Sequence, residues 1–336
     1  MRNTKKGYIN NYMGYYLNMI IRIKDLTKYY GKTKALQNIN LEIKENETFG
    51  ILGPNGAGKT TLISILTTIL KPTSGTIFIG NYEISKKPNE IRKNIGVIFQ
   101  EPSLDLDLTA YDNLYFHSKL YKIKNFKREI KKFLHLVDLW DKRDTTVNKF
   151  SGGMKRRLEI ARGLLHKPKI LFLDEPTLGL DPQMRYKIWE YIKKLKYITI
   201  ILTTHYMEEA DKLCDRVAII NNGEIVVKDY TRKLKEVIKG DIIGIKTNNQ
   251  KLIQILKKKG YIKNITEKNG IIQLTVKEGK LKIPKIIELA NKNKIKIDSV
   301  NLHEPTLDDV FLHYVGKTIN EKEMNYKEEI KFRMKR

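Results

Sequence analysis

Residue types suited to binding and cleaving a polyphosphate recur in three short segments of this 336-residue chain. Gly53-Pro54-Asn55-Gly56-Ala57-Gly58-Lys59-Thr60 fits the pattern G-x-x-x-x-G-K-[ST], between an apolar run and an amphipathic stretch at Thr61–Leu70. Glycines let backbone N–H groups converge on phosphate oxygens, and the start of the following helix adds roughly half a unit of positive charge. In that setting Lys59 reaches the β- and γ-phosphates, and the Thr60 hydroxyl ligates Mg²⁺. The second segment, Ile170-Leu171-Phe172-Leu173-Asp174-Glu175, is an apolar strand ending on two carboxylates. It sets Asp174 where Mg²⁺ sits and Glu175 where it orients and polarises an attacking water. The third, Ser151-Gly152-Gly153-Met154-Lys155, opens a helix with a hydroxyl and two unhindered amides, a further anion-binding helix start. Two such cradles in one chain fit a phosphate that lies between two chains.

The elements that must hold these segments are legible from periodicity. Between about residues 20 and 228, apolar runs at Thr48–Leu52, Ile95–Gln100, Ile170–Asp174, Thr199–Thr203 and Val217–Ile220 read as strands buried on both faces of a mostly parallel sheet. Amphipathic segments at Lys127–Leu139, Met154–Leu165 and Gln183–Leu195 supply helices. From Gly240 the order changes to β-α-β-β-α-β. Strands are expected at Ile242–Thr247, Tyr261–Thr266, Ile271–Val276 and Ile295–Leu302, and helices at Lys251–Lys259 and Pro284–Asn291. That is the split βαβ order of a small ferredoxin-like α+β domain. A helical stretch at Thr306–Tyr314 follows. Residues 1–19 are expected to be a disordered extension or a misassigned start, and residues 317–336 a charged tail.

Composition bounds the rest. With 41% hydrophobic and 9% aromatic residues the chain is not wholly disordered. A lone Cys214 forms no intrachain disulfide and fits a reducing compartment. No apolar run approaches the roughly 18–20 residues of a spanning helix, so a soluble intracellular protein is expected. The net charge of +26, from 64 Lys+Arg against 38 Asp+Glu, is spread from end to end. Nucleic-acid patches are concentrated, so the excess reads as compositional bias, and no nucleic-acid partner is expected.

The three segments, with Ser151–Lys155 lying between the other two in the chain, resemble an ATP-binding-cassette (ABC) transporter ATPase, with the Gly53–Thr60 loop as its Walker A and Ile170–Glu175 as its Walker B. The family signature appears as Phe150-Ser151-Gly152-Gly153-Met154, with Phe for Leu and Met for Gln at its ends. The resemblance implies an α/β P-loop NTPase fold over residues 20–230, with a helical subdomain at about 101–165. The accessory α+β domain then spans 236–316. It also assigns roles: Tyr30 stacks on adenine, Gln100 touches Mg²⁺ and the attacking water, Leu180-Asp181 communicates across a dimer, and His205 contacts the γ-phosphate. The implied nucleotide set is Tyr30, Gly53, Pro54, Asn55, Gly56, Ala57, Gly58, Lys59, Thr60, Thr61, Ser151, Gly152, Gly153 and Asp181. Thr60, Gln100 and Asp174 are the implied metal ligands, and Lys59, Gln100, Glu175 and His205 the catalytic residues.

Glu304-Pro305-Thr306-Leu307-Asp308-Asp309-Val310-Phe311 and Gln100-Glu101-Pro102-Ser103-Leu104-Asp105 resemble daunorubicin-type multidrug export ATPases. The implied protein is a homodimer that sandwiches ATP. It would sit at the cytoplasmic face of the cell membrane and drive efflux through a separate ABC-2 type permease docked on the segment from Glu101 to Lys149. Two other classes share parts of this pattern. Cassette ATPases of translation or DNA repair usually carry two cassettes or a coiled-coil insertion, which this sequence lacks. A non-catalytic regulatory module has no need of the Asp174, Glu175 and His205 set.

Overall fold

The computed structural model describes residues 19–238, 240–247, 251–257, 259–268 and 271–315. The expected extension before Met19 and the tail 317–336 lie outside the described residues. The chain divides into two compact units, 1–228 and 229–336.

In the first unit, β1 (Met19–Tyr30) and β2 (Thr33–Lys44) form a long antiparallel ribbon. β4 (Ser74–Ile79) and β5 (Tyr82–Glu83) extend it to the order β2-β1-β4-β5. This antiparallel sheet is additional to the parallel one expected from the sequence. Its inward residues Ile21, Leu26, Leu36, Ile39, Leu41 and Ile43 are fully withdrawn from water.

The parallel sheet is built from β3 (Thr48–Leu52), β6 (Ile95–Ile98), β7 (Ile170–Asp174), β8 (Thr199–Thr204), β9 (Arg216–Asn221) and β10 (Glu224–Tyr230), in the order β10-β9-β3-β8-β7-β6. Pairings β9/β3, β3/β8, β8/β7 and β7/β6 are all parallel. The register Leu52↔Thr204, Asp174↔Thr203 and Ile98↔Leu173 brings their carboxyl ends to one edge. Ligands of such sheets bind at that edge. The chain leaves it as the glycine-rich loop after β3, Gln100 after β6, Glu175 after β7 and His205 after β8.

Helices α1 (Lys59–Leu66), α2 (Pro88–Asn94), α3 (Ala110–Leu120), α4 (Phe126–Leu136), α5 (Gly152–Leu164), α6 (Pro182–Lys194) and α7 (Met207–Leu213) complete the unit. Leu62, Ile63, Ile65 and Leu66 of α1 belong to one hydrophobic cluster with Ile21 and Ile77 of the antiparallel sheet and Phe49 and Phe172 of the parallel one. Two sheets thus share a core across one short helix. Local chemistry fixes the helix starts: side chains of Thr109, Ser151 and Asp181 each accept an N–H from the first turn of α3, α5 and α6.

The second unit contains α8 (Thr231–Val237), β11 (Asp241–Lys246), α9 (Lys251–Lys257), β12 (Ile262–Lys268), β13 (Ile271–Val276), α10 (Gly279–Lys292) and β14 (Ser299–His303). Residues 307–315 are helical. The antiparallel order β12-β13-β11-β14 realises the expected ferredoxin-like arrangement. Ile243, Ile245, Leu252, Leu274, Val276 and Ile286 form a core of its own. Two boundaries in this unit differ by four residues or more from the sequence reading. α10 begins at Gly279, with Pro284 inside the helix, because the Gly279 N–H donates to Asp241 Oδ2 at 2.7 Å, a cap supplied from another element. β14 begins at Ser299, while Ile295 is buried in the segment leading to it. Residues 269 and 270, between β12 and β13, lie outside the described residues.

Candidate active site

The glycine-rich loop is held by close backbone approach. A Cβ on Gly53 would stand 2.3 Å from the Ile220 carbonyl oxygen, so no larger residue fits. Gly58 caps α1 with φ +104°, and a Cβ there would lie 2.7 Å from the Ala35 oxygen. The Gly223 N–H donates to the Ala57 carbonyl at 3.0 Å, tying the loop to the turn after β9. Pro54, Asn55 and Gly56 are exposed, as is Thr60, while Thr61 is half-buried. Lys59 folds back under the loop. Its Nζ donates to Gly53 O at 2.8 Å and Pro54 O at 3.2 Å, and lies 3.3 Å from Glu175 Oε1.

Glu175 follows β7 with a left-handed backbone, φ +46°, which swings its side chain out of the strand. Its N–H donates to both the carbonyl (3.2 Å) and the hydroxyl (3.0 Å) of Thr203 on the neighbouring strand. The same hydroxyl donates to Asp174 Oδ1. Thr203 therefore fixes the Asp174 carboxylate and the Glu175 backbone. Glu175 Oε2 lies 2.9 Å from His205 Nδ1, so the carboxylate is held between the lysine and the imidazole. Glu175 is 8% exposed and His205 27%.

The remaining residues stand around this group. Gln100 is exposed just beyond β6. Tyr30, 50% exposed, closes β1 beside Gly31, with Lys28 Nζ 5.4 Å from its ring centroid. Ser151 and Gly152 are exposed at the start of α5. Ser151 Oγ accepts the Met154 N–H at 3.3 Å. Gly153 is buried, and a Cβ there would press within 3.0 Å of Met184 Sδ on α6. Asp181 Oδ1 accepts the Met184 N–H at 3.0 Å as the cap of α6. The structure brings Lys59, Asp174, Glu175 and His205 into one bonded group. The contacts of Ser151, Gly153 and Asp181 lie in the α5–α6 region.

Sequence reasoning missed Thr203 and Arg156. Arg156 reads as one charge among three in Lys155–Arg157. In the fold it is buried and donates to the carbonyls of Phe99, Asp174, Glu175 and Pro176. Its i,i+3 relation to Glu159 was the available signal. Glu209, also missed, is buried and accepts from Thr177 Oγ1 (2.8 Å) and Trp189 Nε1 (2.9 Å), and burial raises its pKa. Cys214 is buried and its thiol pKa pushed well up by desolvation, as expected of inert packing.

The residues fit a nucleotide with its Mg²⁺. Thr60, Gln100 and Asp174 offer oxygen donors suited to a hard cation, and close backbone contacts leave no room for a Cβ at Gly53 and Gly58 of the loop. Among the described residues no cluster of three or more His, Cys, Asp or Glu could hold a metal. A cation carried in on phosphates needs only one or two protein oxygens.

Residues 36–178 match the ABC transporter family, and residues 231–315 match the ATP-binding protein DrrA1-3-like, C-terminal domain. Over 311 residues the chain is 34% identical to the linearmycin resistance ATP-binding protein LnrL of Bacillus subtilis, covering 90% of this chain and 100% of that protein. The chain belongs to the ABC transporter ATPases. This ABC ATPase is also 33% identical to the daunorubicin resistance ATP-binding protein DrrA3 of Streptomyces coeruleorubidus, over 88% of its own length and 96% of the relative's. Among solved structures it is similar to the ATP-binding cassette MJ0796, described as a dimer in a post-hydrolysis state bound to ADP and Pi. The TM-score is 0.58 at 30% identity, covering 62% of this chain and 98% of that one. No helix among the described residues of the ABC ATPase is long and apolar enough to cross a membrane.

Proposed function

We propose that this ABC ATPase is the nucleotide-binding subunit of an exporter. Two copies close on ATP·Mg²⁺ and drive efflux of drugs or other amphipathic compounds through a separate ABC-2 type permease at the cytoplasmic membrane face. The observation that carries the reading is the buried Glu175 carboxylate, fixed between Lys59 and His205 at the carboxyl edge of the parallel sheet. Resistance and transport names among the relatives support the export class.

In this mechanism the Tyr30 ring stacks on adenine and the loop N–H groups grip the phosphates. Lys59 exchanges its carbonyl partners for phosphate oxygens. Thr60, Asp174 and Gln100 would hold Mg²⁺, which would neutralise charge on the phosphates. Glu175 accepts the proton of the attacking water, and His205 keeps its carboxylate aimed and contacts the γ-phosphate. Ser151, Gly152 and Gly153 of the second copy meet that phosphate from the other side, at an exposed helix start. Asp181 lies in the loop that reports across the dimer.

Glu175→Gln tests this directly. It should retain ATP and accumulate as a dimer by light scattering, with hydrolysis lost. Hydrolysis at the wild-type rate removes Glu175 as the base, and a variant that stays monomeric with bound ATP overturns the shared site.

A further inference from the structure

One face of α5 carries Arg156, Glu159 and Arg162 at i, i+3 and i+6, and all three grip the segment that contains Gln100. Arg156 Nη1 donates to Phe99 O at 2.6 Å, and Glu159 Oε1 accepts the Ser103 N–H at 2.9 Å. Arg162 donates to Ser103 O at 2.5 Å and to the Ser103 hydroxyl. Arg156 goes further. Its Nε donates to Pro176 O at 2.8 Å, and its Nη2 to Asp174 O at 3.1 Å and Glu175 O at 3.3 Å. A guanidinium has five N–H donors. With Nη1 also bonded to Glu159 Oε2 at 2.9 Å, each of the five has an acceptor. The side chain is 8% exposed, with Glu159 as its paired countercharge.

Three of those acceptors are consecutive carbonyls through the left-handed turn at Glu175, where the chain leaves the ladder of β7. Arg156 also sits on the helix whose first residues are the exposed Ser151 and Gly152. We infer that Arg156 is a positioning residue for hydrolysis. It locks the Glu175 turn and the Gln100 segment to the signature helix of the same chain, so that one nucleotide's base is set by the helix that engages the other nucleotide. The inference rests on the two-chain ATP site proposed above.

Arg156→Lys keeps the charge and loses the planar fork. On the full-length chain, steady-state ATP hydrolysis, binding of a fluorescent ATP analogue and a thermal melt are measured together. The expected result is a loss of about tenfold or more in kcat, with analogue affinity within about threefold of wild type. The Hill coefficient for ATP falls from above one to one. A folded variant whose kcat is unchanged overturns the inference. So does a kcat loss matched by an equal loss of analogue binding, which marks a merely structural role. An unchanged Hill coefficient overturns the coupling. Should Arg156→Lys fail to fold, Glu159→Gln, which removes the countercharge and turns one of its two accepting oxygens into a donor, reads the same quantities against the same criteria. A wild-type chain that hydrolyses no ATP fails the proposed function itself, a result separable from wild-type activity with an indifferent Arg156.

Discussion

Lys59 Nζ stands 3.3 Å from Glu175 Oε1, and the two side chains are 5% and 8% exposed. The proposed phosphate-gripping lysine and the proposed base thus neutralise each other inside the fold. In the proposed cycle a γ-phosphate would compete with Glu175 for the same ammonium group, so arrival of nucleotide would loosen the base at the moment it is needed.

Removing one partner of a buried pair strands the other charge. Lys59→Ala is therefore expected to abolish ATP binding and to lower stability by about 3 kcal/mol. Urea unfolding checks the second part. The double variant Lys59→Met/Glu175→Gln should recover most of the stability and none of the binding. Equal stability of Lys59→Ala and wild type would show that the pair does not constrain the fold.

The loop glycine makes a second case. Gly58→Ala meets both a left-handed backbone and the Ala35 carbonyl 2.7 Å from its new Cβ. A loss of about 1–3 kcal/mol is expected, accompanied by weaker nucleotide binding in a calorimetric titration. An alanine tolerated without either effect would contradict the tight cradle.

Acid sensitivity should trace to the helical region. Burial first, then the His166 and Arg162 charges, hold the His117 pKa down from the ordinary 6.5 to about 4. Burial lowers His166 as well, against a backbone bond to Ile95 that raises it. Tyr121 stacks on the His166 ring and lies 4.7 Å from that of His117. A folded pKa below the unfolded one means that the unfolded chain takes up more protons between pH 6.5 and 4. Stability is then complete above about pH 6.5 and falls as pH drops toward 4, by at most about 1.4 kcal/mol per pH unit for each histidine. Denaturation midpoints from pH 4.5 to 7.5 measure the slope, which His117→Gln should flatten.

Because each unit has its own sheet and core, truncation after Tyr230, which keeps β10 whole, should leave a cassette that melts cooperatively and binds nucleotide. Dimerisation of the truncated chain under Glu175→Gln conditions then reports what the second unit adds. A truncated chain that fails to fold would mean the two cores are not independent.

Much of the site was legible because phosphate chemistry demands particular residue types at fixed spacing. Gly53–Thr60 and Asp174-Glu175 announce themselves, and apolar runs fix the strands that carry them. The contacts of Thr203 and Arg156 were not legible. Each works through distant backbone groups, which the sequence brings together only after the sheet register is set. The early antiparallel sheet escaped in part for a similar reason: β1 and β2 pair as a local hairpin, but the pairing of β1 with β4 joins residues about fifty apart. The start of α10 depends on Asp241, thirty-eight residues upstream, so Pro284 pointed to the wrong boundary.

The left-handed backbone at Glu175 sets two terms of stability against each other. A side chain with a Cβ is strained there, by on the order of 1 kcal/mol, and glycine is not. Replacement by glycine would relax the turn but strand the buried Lys59 ammonium, a cost of about 3 kcal/mol that outweighs the strain relieved. Among random variants screened for heat resistance alone the glutamate should therefore survive, kept by its charge partner before any demand for turnover is made.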